Sequence, residues 1–247
     1  MTLEPSENPE SSTPDSGGAN TDDPVQNEPN ILVPRRRPIQ ERSRRKFQAL
    51  LFSSREVLVE MGFDSFTCEE VASRAGVPIG TLYQFFANKY VLVCELDRQD
   101  AHGVIEEIER FAQKIPALDW PELLNDFLEH LADLWLRDPS RRAVWLATQA
   151  TPATRATAAV NEREIARMIA SVLAPLMPAT DRERRAFMAE VLVHVSYSML
   201  NFSVSTGHSA SISEGGNVEE VHDATVTELK RMLTAYLWLA EKEAQVD

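Results

Sequence analysis

The sequence predicts an all-α fold, a small three-helix unit followed by a larger helical one. Three observations predict it. Apolar residues recur at three- and four-residue spacing through most of the chain after about residue 41. Capping residues, prolines and glycines fall where those periodic stretches begin and end. Strand-like alternation, internal repeats and long β-branched runs are almost absent. A chain of 247 residues is long enough for both units around a shared helical core.

Residues 1–34 hold seven acidic residues and no Lys or Arg, with almost no large apolar side chain before Ile31. Such a segment buries too little surface to offset the entropy of ordering, so it is expected to be a disordered acidic tail. It has neither a basic start nor an apolar run, which excludes a secretory signal. Residues 35–40 form a basic arm, with Arg35, Arg36 and Arg37 between Pro34 and Pro38. These arginines suit either a flexible arm in a DNA minor groove or a solvated linker.

The first helix begins near Arg42 and shows Phe47, Leu50, Leu51, Ser54, Leu58 and Met61 at helical spacing; Gly62 ends it. Arg44 and Arg45, near its start, suit phosphate contacts. Thr67 caps a second helix, and Glu70 three residues on completes a Thr-x-x-Glu capping box. Val71, Ala72 and Ala75 supply a narrow apolar stripe of the small residues that a close helix crossing needs. Gly76 takes the left-handed conformation at the helix end, and Pro78 fits the first turn of the next helix. That third helix turns Leu82, Phe85 and Phe86 inward, leaving Ile79, Gly80, Thr81, Tyr83 and Gln84 outward. Two short helices in this arrangement are a helix-turn-helix, whose second helix reads the major groove.

The string Ala75-Gly-Val-Pro-Ile-Gly-Thr-Leu-Tyr-Gln-Phe-Phe-Ala-Asn-Lys89, with the preceding Thr67-Cys-Glu-Glu-Val-Ala72, closely resembles the DNA-binding domain of the TetR family of bacterial transcription regulators. The resemblance covers roughly a fifth of the chain, from near Arg42 to Lys89. It implies a homodimer, nine or ten helices, and a repressor released from DNA by a small molecule. By position, it implies base-proximal contacts at Ile79, Gly80, Tyr83 and Gln84, and phosphate contacts at Thr67, Thr81, Tyr83 and Lys89. Gln84 suits paired hydrogen bonds to adenine. Ile79 departs from the polar residue common there and suits a thymine methyl at most.

Charge divides along the same lines. The net charge is −13. Residues 35–90 nevertheless carry ten basic against six acidic residues, while 91–247 carry fifteen against twenty-five. Only the segment with the helix-turn-helix is positive, as phosphate binding requires, and the acidic remainder is expected to face away from DNA.

Residues 91–247 read as helices throughout, and the resemblance implies that they form a ligand-binding and dimerisation domain following the DNA-binding domain at 41–90. One helix runs from Asn88 to about Gln113. Asp119 caps the next, Asp138-Pro139 opens another, and Thr151-Pro152 begins a long one to about Leu176. Asp181 starts a helix to about Thr206, a polar Gly/Ser loop follows (207–216), and a last helix spans Val218 to about Glu243, about nine helices in all. The last two have broad apolar faces, which must be buried on two sides. Val191, Val195, Met199, Leu229, Leu233 and Tyr236 are expected at a four-helix homodimer interface, where the resemblance also puts it.

A small-molecule pocket is implied among the body helices. Trp135, Trp145, Gln149, His194, Tyr197 and Asn201 are its candidates, being aromatic or polar on otherwise apolar helices. Cys68 and Cys94 have no paired spacing, and five scattered histidines place no two on one helical face, so neither a metal nor another cofactor is expected beyond an unknown effector. No phosphate loop or nucleophile elbow appears, which argues against an enzyme. No stretch approaches the roughly 20 apolar residues of a membrane span, and the cytoplasm is the expected compartment. The expected function is a repressor that leaves a palindromic DNA operator on binding a ligand; a regulator with no effector, or an activator, shares the same head.

Overall fold

The computed structural model describes residues 31–113, 120–214 and 218–244, with side chains described outside 206–214 and 218. The acidic tail before Ile31, the Asp119 cap and the centre of the expected Gly/Ser loop lie outside the described residues. Among the described residues there are nine α-helices and no strands: α1 Glu41–Ser65, α2 Cys68–Arg74, α3 Ile79–Phe85, α4 Lys89–Ala112, α5 Trp120–Arg137, α6 Pro139–Thr148, α7 Pro152–Leu176, α8 Arg182–Glu214 and α9 Val218–Ala244.

Two hydrophobic cores organise them. The first gathers α1, α2, α3 and the start of α4 around Leu50, Phe66, Leu82, Phe85, Phe86 and Leu92. Phe47 stacks on Phe86 at 4.9 Å and meets Phe85 edge-on at 5.3 Å, so one aromatic of α1 clamps the end of α3. Val144 and Ala147 of α6 complete this core from the body side. The second core joins α4, α5, α7, α8 and α9 through Val104, Ile108, Leu128, Ile165, Leu192 and Leu229.

Local chemistry explains most boundaries. Asn88 accepts from Val91 N to cap α4, and Asp138 accepts from Ser140 N to cap α6. Thr151 and Thr154 satisfy each other's backbone at the start of α7, a reciprocal capping box. Thr67 accepts from Glu70 N, but the Glu70 carboxylate pairs with Arg74 at 2.7 Å, so only half of the expected α2 box forms.

Four expectations need correction. Gly62 takes a positive φ of 70° that breaks helical geometry, yet one further turn follows before α1 stops at Ser65. Val57 rather than Met61 completes the α1 stripe; Val57 is buried and Met61 exposed. Helix α8 runs through 207–214, where a loop was expected. Arg182–Ser205 is also long and apolar enough by composition to cross a membrane, contrary to the sequence reading. Its apolarity has two uses: Met188, Leu192 and Leu200 enter the second core, while Phe187 and Phe202 point outward.

Candidate nucleic-acid interface and effector cavity

The α2–α3 turn rests on three backbone hydrogen bonds. Gly76 N donates to Ser73 O, Val77 N to Ala72 O, and Thr81 N to Pro78 O. Gly76 sits at φ 60°, a left-handed conformation that glycine adopts without strain. With Leu82 and Phe85 buried, the helix shows Ile79, Gly80, Tyr83 and Gln84 to the outside, and Thr81 is half-buried.

Gly80 is informative. A Cβ there would meet nothing within 4 Å, so internal packing gives no reason for a glycine inside a helix. Its absence of a side chain instead leaves room for an external surface to approach the backbone. Tyr83 is 37% exposed, and its hydroxyl donates to Glu69 Oε1 at 3.1 Å; that hydrogen bond raises its pKa and holds it protonated. Arg44 and Arg45 are exposed beside Glu41, and Thr67 is exposed at the α2 cap. Lys89 is placed otherwise. Its Nζ donates to Phe63 O at 3.1 Å and lies 4.4 Å above the Phe63 ring, bracing the end of α1.

The arginine arm is not free. Arg35 caps the C-terminus of α3, its backbone N donating to Phe85 O at 2.8 Å and its guanidinium to Tyr83 O at 3.0 Å. These carbonyls have no partner within the helix, which explains the attraction. Arg36 donates to Gln84 Oε1 at 2.7 Å and covers the Phe85 ring. Arg37 pairs with Glu95, a carboxylate only 2% exposed that also takes Arg98. Upstream, Leu32 N donates to Thr157 Oγ1 on α7, so residues 32–37 run from the body to the end of the recognition helix.

A cavity of about 100 Å³ opens among α4, α5, α7, α8 and α9. Ile108, Phe127, Leu131, Ile165, Leu192 and Leu233 are typical of its walls, and its polar groups are Ser196 and Tyr197. A smaller cavity of about 20 Å³ adjoins it, sharing Val104, Leu131 and Tyr197 and adding Asp97, Asp100, Trp135, Arg141 and Trp145. Of the sequence candidates, Tyr197 lines both cavities, and Trp135 and Trp145 the smaller. His194 faces a surface groove with Glu162 and Glu190. Gln149 is exposed at the α6 C-cap and Asn201 is half-buried on α8; neither lines either cavity.

The sequence reading missed Asp97 and Asp100. Asp97 accepts from Asn161 Nδ2 at 2.6 Å; burial raises its pKa to about 7, against that hydrogen bond. Asp100 pairs with Arg55 of α1 at 2.7 Å, and burial also raises it. Spacing held the signal: Asp97, Asp100, Ala101 and Val104 share one face of α4, and an acid on an apolar helical face is rarely idle.

The expected dimer residues divide. Val191, Val195, Met199 and Tyr236 are half-buried, whereas Leu229 and Leu233 are buried in the protomer's own core and are corrected to that role. The outward apolar residues are Phe187 and Phe202 on α8 and Met232, Trp238 and Leu239 on α9. Among the described residues no cluster of three His, Cys, Asp or Glu side chains is placed to hold a metal.

Two family models match the chain: "Bacterial regulatory proteins, tetR family" over residues 50–96, and "Tetracyclin repressor-like, C-terminal domain" over residues 118–241. A comparison with curated proteins finds no match. Among solved structures, a TetR-family transcriptional regulator from Streptomyces coelicolor superposes with a TM-score of 0.55 at 18% identity, covering 79% of this chain and 99% of that one. The transcriptional regulator FadR from Bacillus subtilis, in complex with stearoyl-CoA, gives 0.57 at 16% identity, covering 74% and 97%. FadR from Thermus thermophilus, a TetR-family repressor in complex with lauroyl-CoA, gives 0.51 at 18%, covering 74% and 92%. At these identities the superpositions show a shared fold. With the helix-turn-helix matched at one end and the C-terminal model spanning half of the chain, the protein belongs to the TetR family of DNA-binding transcriptional regulators.

Proposed function

We propose that the protein is a dimeric repressor that leaves a palindromic operator when a largely apolar small molecule fills the cavity. One observation carries the reading: α4 belongs to both cores. Val91, Leu92 and Leu96 pack in the core that holds α3, while Val104 and Ile108 line the cavity. A ligand that binds better to one setting of α4 therefore shifts the spacing of the recognition helices. Two recognition helices about 34 Å apart read a palindrome, and the outward residues of α8 and α9 supply the face on which two copies meet.

On this reading Gln84 and Tyr83 reach base edges and phosphate, Gly80 admits the DNA backbone, and Arg44, Arg45, Thr67 and Thr81 hold phosphates. Residues 41–90 are the DNA-binding domain and 91–247 the ligand-binding and dimerisation domain, with α6 bridging them. The apolar lining suits a ligand with a long hydrocarbon portion, the kind of group that the two acyl-CoA complexes contain. The test is selection of genomic fragments by the purified protein. Enrichment of one palindromic motif, lost when an effector is added, supports the reading. Enrichment of no motif contradicts it; a motif retained with every cavity-binding compound supports a regulator without an effector.

A further inference from the structure

The smaller cavity has the chemistry of a cation site. Asp97 contacts a neutral amide, Asn161, and no cationic partner. The other charges nearby are already matched in part: Asp100 is held by Arg55, and Arg141 lies 3.4 Å from Asp138. Glu162 adds negative charge that acts on both Asp97 and Tyr197. Of the charged residues that line the cavity, Asp97, Asp100 and Arg141, Asp97 is the one without a charged partner of its own among the described residues.

Aromatic rings form the rest of the wall. Trp135 meets Trp145 at 6.5 Å and Tyr197 at 5.5 Å, both steeply tilted, a cage of the type that holds ammonium groups. Trp135 is 4% exposed, yet its indole N–H has no hydrogen-bond partner among the described residues. A buried donor left unpaired in a cavity wall is a place for a ligand acceptor. The space of about 20 Å³ exceeds the roughly 10–15 Å³ that one water requires and suits a compact polar head group. It adjoins the apolar cavity, with which it shares Val104, Leu131 and Tyr197.

We propose that the two adjoining cavities bind a long-chain primary amine, its ammonium between Asp97 and the Trp135, Trp145 and Tyr197 rings and its hydrocarbon in the apolar cavity. An oxygen beside the amine accepts from Trp135 Nε1. The ammonium donates to Asp97 in a charge-assisted hydrogen bond. A carboxylate in the same place meets Asp97 and Asp100 and is rejected. A trimethylammonium head exceeds the space. This ligand class rests on the reading of the cavity as the effector site.

The test uses the full-length protein at pH 7.5, with tryptophan fluorescence to follow binding of dodecylamine, 2-amino-1-dodecanol, dodecyltrimethylammonium, dodecanol and dodecanoic acid. Dodecylamine is expected to bind about tenfold or more tighter than the acid and the trimethylammonium compound, and the amino alcohol tighter still. Asp97→Asn is expected to remove most of the amine's advantage and leave dodecanol binding unchanged. Trp135→Phe is expected to remove the amino alcohol's advantage over the amine. Acid binding as tight as amine binding, or an unchanged amine affinity in Asp97→Asn, overturns the proposal. If Asp97→Asn fails to fold, the wild-type ratios decide. Amine binding with this pattern but no release of operator DNA leaves the site assignment standing and overturns the effector reading instead.

Discussion

Arg36 holds Gln84 by a hydrogen bond of 2.7 Å, tying the residue best suited to read a base to the segment that precedes the folded chain. One residue on, Arg37 is held by buried Glu95. These two arginines sit side by side but in unlike surroundings, and their substitutions should separate. On the proposed reading, Arg36→Ala removes an exposed charge from the face that meets DNA and is expected to lower the slope of log affinity against log salt by about one. Arg37→Ala is expected to leave that slope unchanged and to destabilise the protein by about 1 kcal/mol, since Arg98 still pairs with Glu95. Salt titrations and thermal melts of both variants check this.

Gly80 should give effects of opposite sign. Alanine fits the open space there and favours the helix, so Gly80→Ala is expected to stabilise the unbound protein by about 0.5 kcal/mol. On the proposed reading the same methyl stands where the DNA backbone approaches, so operator affinity is expected to fall at least tenfold. A chemical melt and a binding titration on one preparation suffice.

The proposed interface also separates two kinds of leucine. Leu233→Ala is expected to cost about 2–5 kcal/mol and lower the melting temperature, because it opens a cavity in the protomer core. Leu239→Glu, on the outward face of α9, is expected to yield folded monomers by sedimentation with helicity retained.

Asp97 predicts a pH dependence whose sign follows from its raised pKa. The folded protein holds the Asp97 proton to about pH 7, whereas the unfolded chain loses it near 3.8. The stabilising contribution is therefore full below the unfolded value and is lost as pH rises through about 7. The loss at full ionisation is on the order of 4 kcal/mol. Asp97→Asn is expected to flatten the stability profile between pH 4 and 7 relative to the wild type.

The helices were legible because their boundaries depend on local chemistry: Asn88, Asp138 and Thr151 cap where their residue types predict. The recognition helix was legible for the same reason, since its inward Leu82 and Phe85 define the outward face. What the sequence hid depends on contacts distant in the chain. Arg35 finds the α3 carbonyls 48 residues away, and Leu32 finds Thr157 125 residues away. Leu229 and Phe187 both lie on broad apolar helices, and only packing shows that one is core and the other surface. Asp97 and Asp100 read as ordinary surface acids until α7, α8 and α1 close over them.

The central claim is that α3 reads DNA through Tyr83 and Gln84. Its most direct measurement is the affinity of the Tyr83→Ala, Gln84→Ala double variant for the selected operator, beside its oligomeric state and helicity. The expected result is loss of the specific complex, with weak salt-sensitive binding to any DNA retained and both dimer and helicity intact. Operator affinity equal to that of the wild type would contradict the claim.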